Sequence, residues 1–346
     1  MTGLRSRQDV LAHAHELMRR ENYVEAIAYL REACIEQSDG KCQILLARCR
    51  RLAYVAQPPR ALPASGDTWP PEVEDMFAAA EGIPEITADR LDPLTLAAGI
   101  HHHGALLVRG LLDEARATRL VSGIDRVMQA CEAWHRGDYR TEDAAWYSPM
   151  PLDDDRGIVI GRGFGESAGG VWAADSPCML QELIDMFEAI GVSKTIADYF
   201  GERPMLSVGK STLRRVPASQ GIADWHQDGA FMGSDIRSVN VWLSLSHCGE
   251  DASGLEFLPR RVPVVLPTGT HGARLDWTVG PGMVEQAAAG VAVASPVFAP
   301  GDALLFDQFF LHRTGVPPGI CKPRYAIESW FFAPSAYPAR QVPLWL

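Results

Sequence analysis

The run Asp224-Trp225-His226-Gln227-Asp228-Gly229 sets an imidazole and a carboxylate two residues apart. On a strand, side chains alternate, so both would leave the same face. One His and one Asp on one face, joined by a second His from elsewhere, make the two-His-one-carboxylate set. That set holds non-haem Fe(II) and leaves positions open for substrates and oxygen. His-x-Asp is a short pattern in a chain with ten His, so its meaning depends on what the rest of the chain places around it.

Three further pieces stand around it. Pro300-Gly301-Asp302-Ala303-Leu304-Leu305-Phe306-Asp307 reads as a Gly-Asp turn into a buried apolar strand, and His312 follows just before a turn. Arg324 comes twelve residues after His312, at the head of the last long strand, Arg324-Tyr325-Ala326-Ile327-Glu328-Ser329-Trp330-Phe331. Val239-Asn240-Val241-Trp242-Leu243-Ser244-Leu245 leads to Ser253-Gly254-Leu255-Glu256-Phe257-Leu258-Pro259.

In this order the pieces resemble the phytanoyl-CoA dioxygenase family of Fe(II)/2-oxoglutarate oxygenases, over roughly residues 85–335. The resemblance takes in the strand-then-helix opening from Gly104 to Leu112, Trp-His-Gln-Asp-Gly, Asn-Val-Trp, Gly-Leu…Pro and the Gly-Asp…His…Arg ending. It implies a mainly β fold with flanking helices: a double-stranded β-helix (cupin-like jelly roll) with iron at one open end. It implies His226, Asp228 and His312 as the catalytic iron ligands. Arg324 would pair with the distal carboxylate of 2-oxoglutarate, since an Arg fork suits a planar carboxylate. Trp242 would lie near the co-substrate, and Lys210, on the preceding strand, would touch 2-oxoglutarate or substrate. Fe(II), 2-oxoglutarate and O2 are the implied cofactors, and decarboxylation of 2-oxoglutarate to succinate and CO2 the implied chemistry, with the metal and co-substrate carrying the hard step. Related halogenases have Ala or Gly at the carboxylate position, so Asp228 points to hydroxylation of a small-molecule metabolite, or to desaturation, cyclisation or epimerisation. Two positions depart from the pattern. Ala326 stands where relatives often have Ser, and Arg260-Arg261-Val262 where they often have Gly-Ser-His.

Each residue also has a structural reading. The two His are core histidines, Asp228 a turn residue, and Arg324 a partner of Glu328 on the same strand face. On that view the chain is a non-catalytic cupin-like binding protein. The ordered set favours the enzyme. Arg156, Arg162, Arg214, Arg260 and Arg261 could line a mouth for an anion but need no role beyond the surface. Arg214 and Arg215, being adjacent on a strand, point to opposite faces. The run His101-His102-His103 cannot serve one ion if it lies on a strand, for the same reason.

The elements that must position these residues follow from periodicity. Residues 1–55 form an α-helical extension, loosely tetratricopeptide-like, with Leu11, His15, Met18 and then Tyr23, Ala26, Ile27, Leu30, Ala33 at helical intervals. It packs on the main body or on another subunit in preference to docking a protein partner, because a lone repeat cannot bury its apolar face. A Pro-rich linker covers 56–84, and 85–346 is the oxygenase domain. There, a helix from Asp113 to about Trp134 follows a buried strand, residues 136–175 read as long loops, and 176–200 as helical. Short strands follow at Met205–Val208, Ser211–Val216, Ser238–Leu245, Gly254–Leu258, Val262–Leu266, Val293–Phe298, Ala303–Phe306 and Arg324–Phe332.

The 346 residues are 47% apolar and 22% charged, with a formal net charge of -11. That balance argues against nucleic acid or an anionic membrane as partner, since both select for clustered basic residues. Seven scattered Cys without a C-x-x-C, an N-terminus without an apolar signal core and no apolar run of membrane length predict a soluble cytoplasmic protein with reduced thiols.

Overall fold

The computed structural model describes residues 6–36, 39–56, 69–152, 161–219 and 224–346. Residues 57–68 of the Pro-rich linker, and Arg156 in the acidic loop, lie outside them.

Among the described residues ten strands are formed: β1 Glu85–Thr87, β2 Ala105–Arg109, β3 Gly170–Trp172, β4 Met205–Val216, β5 Ser238–Ser244, β6 Gly254–Phe257, β7 Ala303–Phe306, β8 His312–Gly315, β9 Arg324–Phe332 and β10 Pro343–Trp345. Eight make one mixed sheet in the order β1-β2-β7-β5-β9-β4-β10, with β3 on the outer part of β4; only β1 and β2 run parallel. The remaining two, β6 and β8, pair antiparallel in a second sheet.

Strand alternation gives the large sheet two different faces. Leu106, Val108, Val239, Val241, Leu243, Leu305, Ile327 and Phe331 share one apolar cluster with the helices of the outer layer. Those helices are α5 Glu114–Arg136, α7 Pro177–Ala189 and α8 Val192–Phe200; α1 to α4 are Arg7–Arg19, Tyr23–Glu36, Gly40–Val55 and Pro93–Ala98, and α6 is Arg162–Ser167. Two short helices complete the set, α9 Gly229–Met232 and α10 Pro281–Ala288. The inner face carries Leu107, Trp242, Leu304, Phe306, Ala326, Trp330 and Phe332, which pack with Leu255 and Phe257 of the second sheet. The long helix α5 shows why the outer layer forms. Asp113 caps its first turn by accepting from Arg116 N at 2.8 Å, and Gly137 at φ 78° ends it. Between them Ala117, Leu120, Ile124, Val127 and Met128 make a buried stripe.

Helices α1 to α3 build their own cluster around Leu17, Leu30 and Leu46. They rest on this chain: Arg50, 1% exposed, donates to the Trp345 carbonyl at 2.9 Å and to Gln181 Oε1 at 3.1 Å. Arg31 reaches Asp185 and Glu188 of α7.

Several sequence expectations need correction. The two strands expected at 205–208 and 211–216 are one, with a register shift between Leu206 and Ser211. Val262–Leu266 is not a strand: Pro263 lacks a ladder donor, and the segment is held by a side chain instead. Val293–Phe298 is reduced to two isolated bridges, at Ala294 and Phe298, with Pro296 between them. The 136–175 stretch contains α6 and β3 as well as loops. The three histidines lie on a π-helical turn, Gly99–His103, which ends at Gly104 with φ 93°. No helix among the described residues is long and apolar enough to cross a membrane.

Gly301 shows how tightly the Gly-Asp turn is set. Its φ is 92°, and a Cβ there would stand 2.1 Å from the Leu112 carbonyl oxygen. Asp302 below it accepts from Gly110 N and Ala299 N and binds Arg109 Nη1 at 2.7 Å. Gly301→Ala should cost about 3 kcal/mol or more, because strain and a backbone clash add. Gly137→Ala, also at positive φ but with nothing within 4 Å of the added methyl, should cost only about 1 kcal/mol. Urea denaturation of the two variants checks this; equal losses would mean the turn is not packed as described.

Candidate functional site

His226 enters the site through a single antiparallel bridge to His312: His226 N donates to His312 O at 3.0 Å, and His312 N to His226 O at 3.1 Å. The chain then turns into α9, and Asp228 has helical backbone angles, φ -64° and ψ -23°. His226 and Asp228 therefore do not share the face of a strand. The two side chains converge because a bridge is followed at once by a helical turn.

The result is a compact set. One side-chain ligand atom from each of His226, Asp228 and His312 lies within 4.8 Å of the other two. Both imidazoles are oriented in the same way. His226 Nδ1 meets the Asp224 carbonyl at 2.9 Å and His312 Nδ1 the Phe310 carbonyl at 3.0 Å. A ring nitrogen facing a carbonyl must carry the proton, which leaves each Nε2 as a lone-pair donor. His312 Nε2 lies 3.8 Å from Asp228 Oδ2. Burial, with His226 beside it, lowers His312 to about 4, so the ring is neutral at physiological pH. Burial alone pushes Asp228 up, but Lys210, His226 and His312 outweigh it and hold the carboxylate at about 2. Two imidazoles and one carboxylate are the donor set that suits Fe(II) and leaves coordination positions open.

Lys210 ion-pairs with Asp228 Oδ1, and its ammonium lies over the Phe231 and Trp330 rings at 5.5 and 5.9 Å. Arg324 is 3% exposed. Its Nη1 donates to the Gly254 carbonyl at 3.0 Å, while Nε has no partner among the described residues. Glu328 does not neutralise it: Arg214 takes that carboxylate with two bonds, at 2.6 and 3.1 Å. Burial pulls the Arg324 guanidinium down from the usual arginine range. Trp242, whose ring centre is 5.8 Å from that guanidinium, also has a buried Nε1 without a partner among the described residues.

The other arginines named from the sequence are occupied. Arg162 binds Asp175, Arg261 binds Asp307 at 2.6 Å, and Arg260 reaches the Ala288 carbonyl at 3.4 Å. Arg215 points outward to Asp125 and Glu132. The histidine run is not a cluster: His101 meets Tyr199 Oη, His102 the Val73 carbonyl, and His103 Asp75.

Sequence reasoning missed the residues that hold the set in place. Gln227 is fully buried; its amide donates to the Val264 and Phe309 carbonyls at 3.0 and 2.6 Å and accepts from Leu266 N at 2.7 Å. Gln308 bonds Ser238, Ser234 and Ile236 in the same manner. Gly229 has Val265 Cγ2 2.8 Å and Gln308 O 3.0 Å from where a Cβ would be, so the turn after Asp228 has no room for a side chain. An amide between two candidate ligands was the only signal. Phe231 and Trp277, whose ring centres lie 6.2 Å from that of His226, gave none.

No family model matches the chain, and no curated protein matches it. Solved structures do. AviO1 from Streptomyces viridochromogenes Tue57 is 17% identical over 72% of this chain and 98% of its own, with a TM-score of 0.44. EctD from S. alaskensis, solved with 2-oxoglutarate and 5-hydroxyectoine, is 15% identical over 80% of this chain and 87% of its own, at 0.47. The epimerase SnoN, in complex with Fe3+, alpha ketoglutarate and nogalamycin RO, is 13% identical over 68% and 82%, at 0.43. Residue roles are not carried over from chains this distant.

Two measurements test the local account. Gln227→Leu leaves two carbonyls and one amide unpaired, so it should cost about 2–4 kcal/mol in urea denaturation. It should also weaken divalent-metal binding about 10- to 100-fold, as loss of an orienting group does. Unchanged metal affinity would mean that Gln227 does not position its neighbours. His101 supplies the pH dependence. Burial, then Arg261 and His102, holds it down to about 3, against 6.5 for an unperturbed histidine. The unfolded chain therefore takes up that proton first, and stability is lost as pH falls from 6.5 toward 3. His101→Phe should flatten the fall of the melting temperature between pH 7 and 4; an identical slope in both proteins would rule His101 out as its source.

Proposed function

We propose that this protein is an Fe(II)/2-oxoglutarate-dependent dioxygenase of the phytanoyl-CoA dioxygenase type. In this reading the second sheet closes over the inner face of the large one as a double-stranded β-helix. His226, Asp228 and His312 hold the iron, and Arg324 holds the distal carboxylate of 2-oxoglutarate. The observation that carries it is the buried Arg324. A guanidinium shielded from water, with no carboxylate bonded to it among the described residues, costs several kcal/mol until an anion arrives.

Spacing along β6 supports the pairing of the two half-sites. Arg324 binds the Gly254 carbonyl, and His312 pairs with Phe257, three positions along the same strand. Three strand residues span about 10 Å, the reach of a five-carbon dicarboxylate bridging a metal and an arginine. The remaining Arg324 donors and the Trp242 Nε1–H would then find acceptors. Lys210 keeps Asp228 ionised and places a second cation in the pocket for the keto acid. Phe231 and Trp277 give the His226 side an aromatic wall and help exclude water. With iron, 2-oxoglutarate and O2 bound, the group supplies oxidative decarboxylation to succinate and CO2 coupled to oxidation of a small-molecule substrate, with hydroxylation as the outcome we favour.

The test is an anaerobic titration with Fe(II) and 2-oxoglutarate, read by the visible metal-to-ligand charge-transfer band. Wild type should develop the band, and Asp228→Ala should lose most of it. Arg324→Ala should need about 10- to 150-fold more 2-oxoglutarate, the equivalent of about 1.5–3 kcal/mol for hydrogen bonds to a charged group. Arg324→Lys should recover only part, because an ammonium cannot reproduce the fork. A folded, metal-loaded wild type without the band would overturn the proposal.

A further inference from the structure

We infer that Cys131, His135 and Glu166 form a second metal site, separate from the His226 set and suited to a zinc-type ion. Helix α5 supplies two of the three. Cys131 and His135 are four residues apart, so they share one face of that helix. Helix α6 brings Glu166 against that face. It is fixed there by Arg162, which makes two bonds to Asp175 at 2.7 and 3.0 Å and lies over the Trp172 ring at 4.7 Å.

The separations match a tetrahedral ion. Cys131 Sγ is 3.7 Å from Glu166 Oε1, and His135 Nε2 is 3.1 Å from Glu166 Oε2. The three ligand atoms lie within 4.8 Å of one another. A zinc ion with bonds of about 2.3 Å to sulfur and about 2.0–2.1 Å to nitrogen and oxygen puts tetrahedral neighbours about 3.3–3.5 Å apart. The two contacts, one to each oxygen of Glu166, are within a few tenths of an ångström of those lengths, and the Cys131–His135 separation is under 4.8 Å, so closing on one ion needs only a small turn of the carboxylate. One thiolate, one carboxylate and a neutral imidazole would also cancel the charge of a divalent ion, and thiolate selects zinc-like ions over magnesium or calcium.

All three residues line one cavity of about 500 Å³, together with Arg215, Pro217 and Pro323. A bound ion would thus keep one face open for water or a small ligand, the arrangement of a three-ligand zinc centre. The Tyr147 hydroxyl donates to Glu166 Oε1 at 3.1 Å and orients the carboxylate from behind.

A Cys–His nucleophile is the competing reading, and the geometry disfavours it. Glu166 is the common partner of both groups, whereas a nucleophile needs its imidazole on the thiol. Burial, with Glu166 close by, also pushes the Cys131 thiol up to about 12, the reverse of an activated thiolate. A divalent ion would displace that proton directly.

Cobalt(II) is the probe. Titrated into reduced, chelator-treated full-length protein, it should give a saturable near-ultraviolet thiolate-to-cobalt band that added zinc bleaches. The His226 set has no thiolate, so Asp228→Ala should keep the band in full, and the outcome is independent of the iron proposal. Cys131→Ser should abolish the band. His135→Ala and Glu166→Gln should each weaken cobalt binding at least about tenfold. His135 is exposed, so its replacement removes a ligand without disturbing the core. No thiolate band in folded wild type, or a band that survives Cys131→Ser or is indifferent to His135→Ala, would overturn the inference.

Discussion

The site depends on one pair of backbone hydrogen bonds, the exchange between His226 and His312. Eighty-six residues of chain separate the two, and neither lies in a long strand at the point of contact. The pair fixes both backbones face to face, with ring centres 4.4 Å apart. Each ring is then set by a carbonyl two residues earlier on its own chain, Asp224 O in one case and Phe310 O in the other. One tertiary bridge and two local bonds thus decide where both Nε2 atoms point. Asp228 joins them because the helical turn that follows the bridge brings its carboxylate round to the same side.

Charge in the interior follows a simple account. Lys210 is matched by Asp228 and Arg214 by Glu328, all four side chains mostly buried. Near the site, Arg324 is the arginine without a carboxylate among the described residues, with one carbonyl and the neighbouring Trp242 ring as its company. Buried charges are normally paired, and here the sheet supports an unpaired one with the rigidity of β9, which is bonded on both sides, to β4 and β5. The free energy held in that unpaired group is available to whichever anion binds, which is how a fold turns a local cost into affinity.

Much of this was legible in the sequence for a definable reason. Strands β5, β7 and β9 show as largely apolar runs because they are buried along nearly their whole length, and helix α5 shows a helical period because one face is buried. Short elements carry neither. A one-residue bridge at His226, a four-residue helix at α9 and a π-helical turn at His101 have no period to read, so the turn that carries Asp228 leaves no trace in the sequence pattern. The supporting glutamines were missed for a related reason: Gln227 and Gln308 act on carbonyls of Val264, Phe309, Ser234 and Ile236 that only the tertiary fold brings near. The Cys131–His135–Glu166 grouping was hidden by the same distance, since its third member comes from another element.

The two halves of the proposed centre are therefore held by different means. Arg324 begins a nine-residue central strand, where it pairs with Val216 of β4, and ladder bonds that a single side-chain change cannot remove secure the strand that follows. His226 and Asp228 sit on a bridge and a single helical turn, and their position is secured by side-chain amides reaching into the 264–266 and 309 segments. Free energies of local opening are lowest where few ladder bonds and few buried contacts restrain the chain. The His226–Asp228 half should accordingly be the adjustable one, tightened when a metal draws the three donors together, while the arginine half is preorganised and sets where the far end of a dicarboxylate can lie.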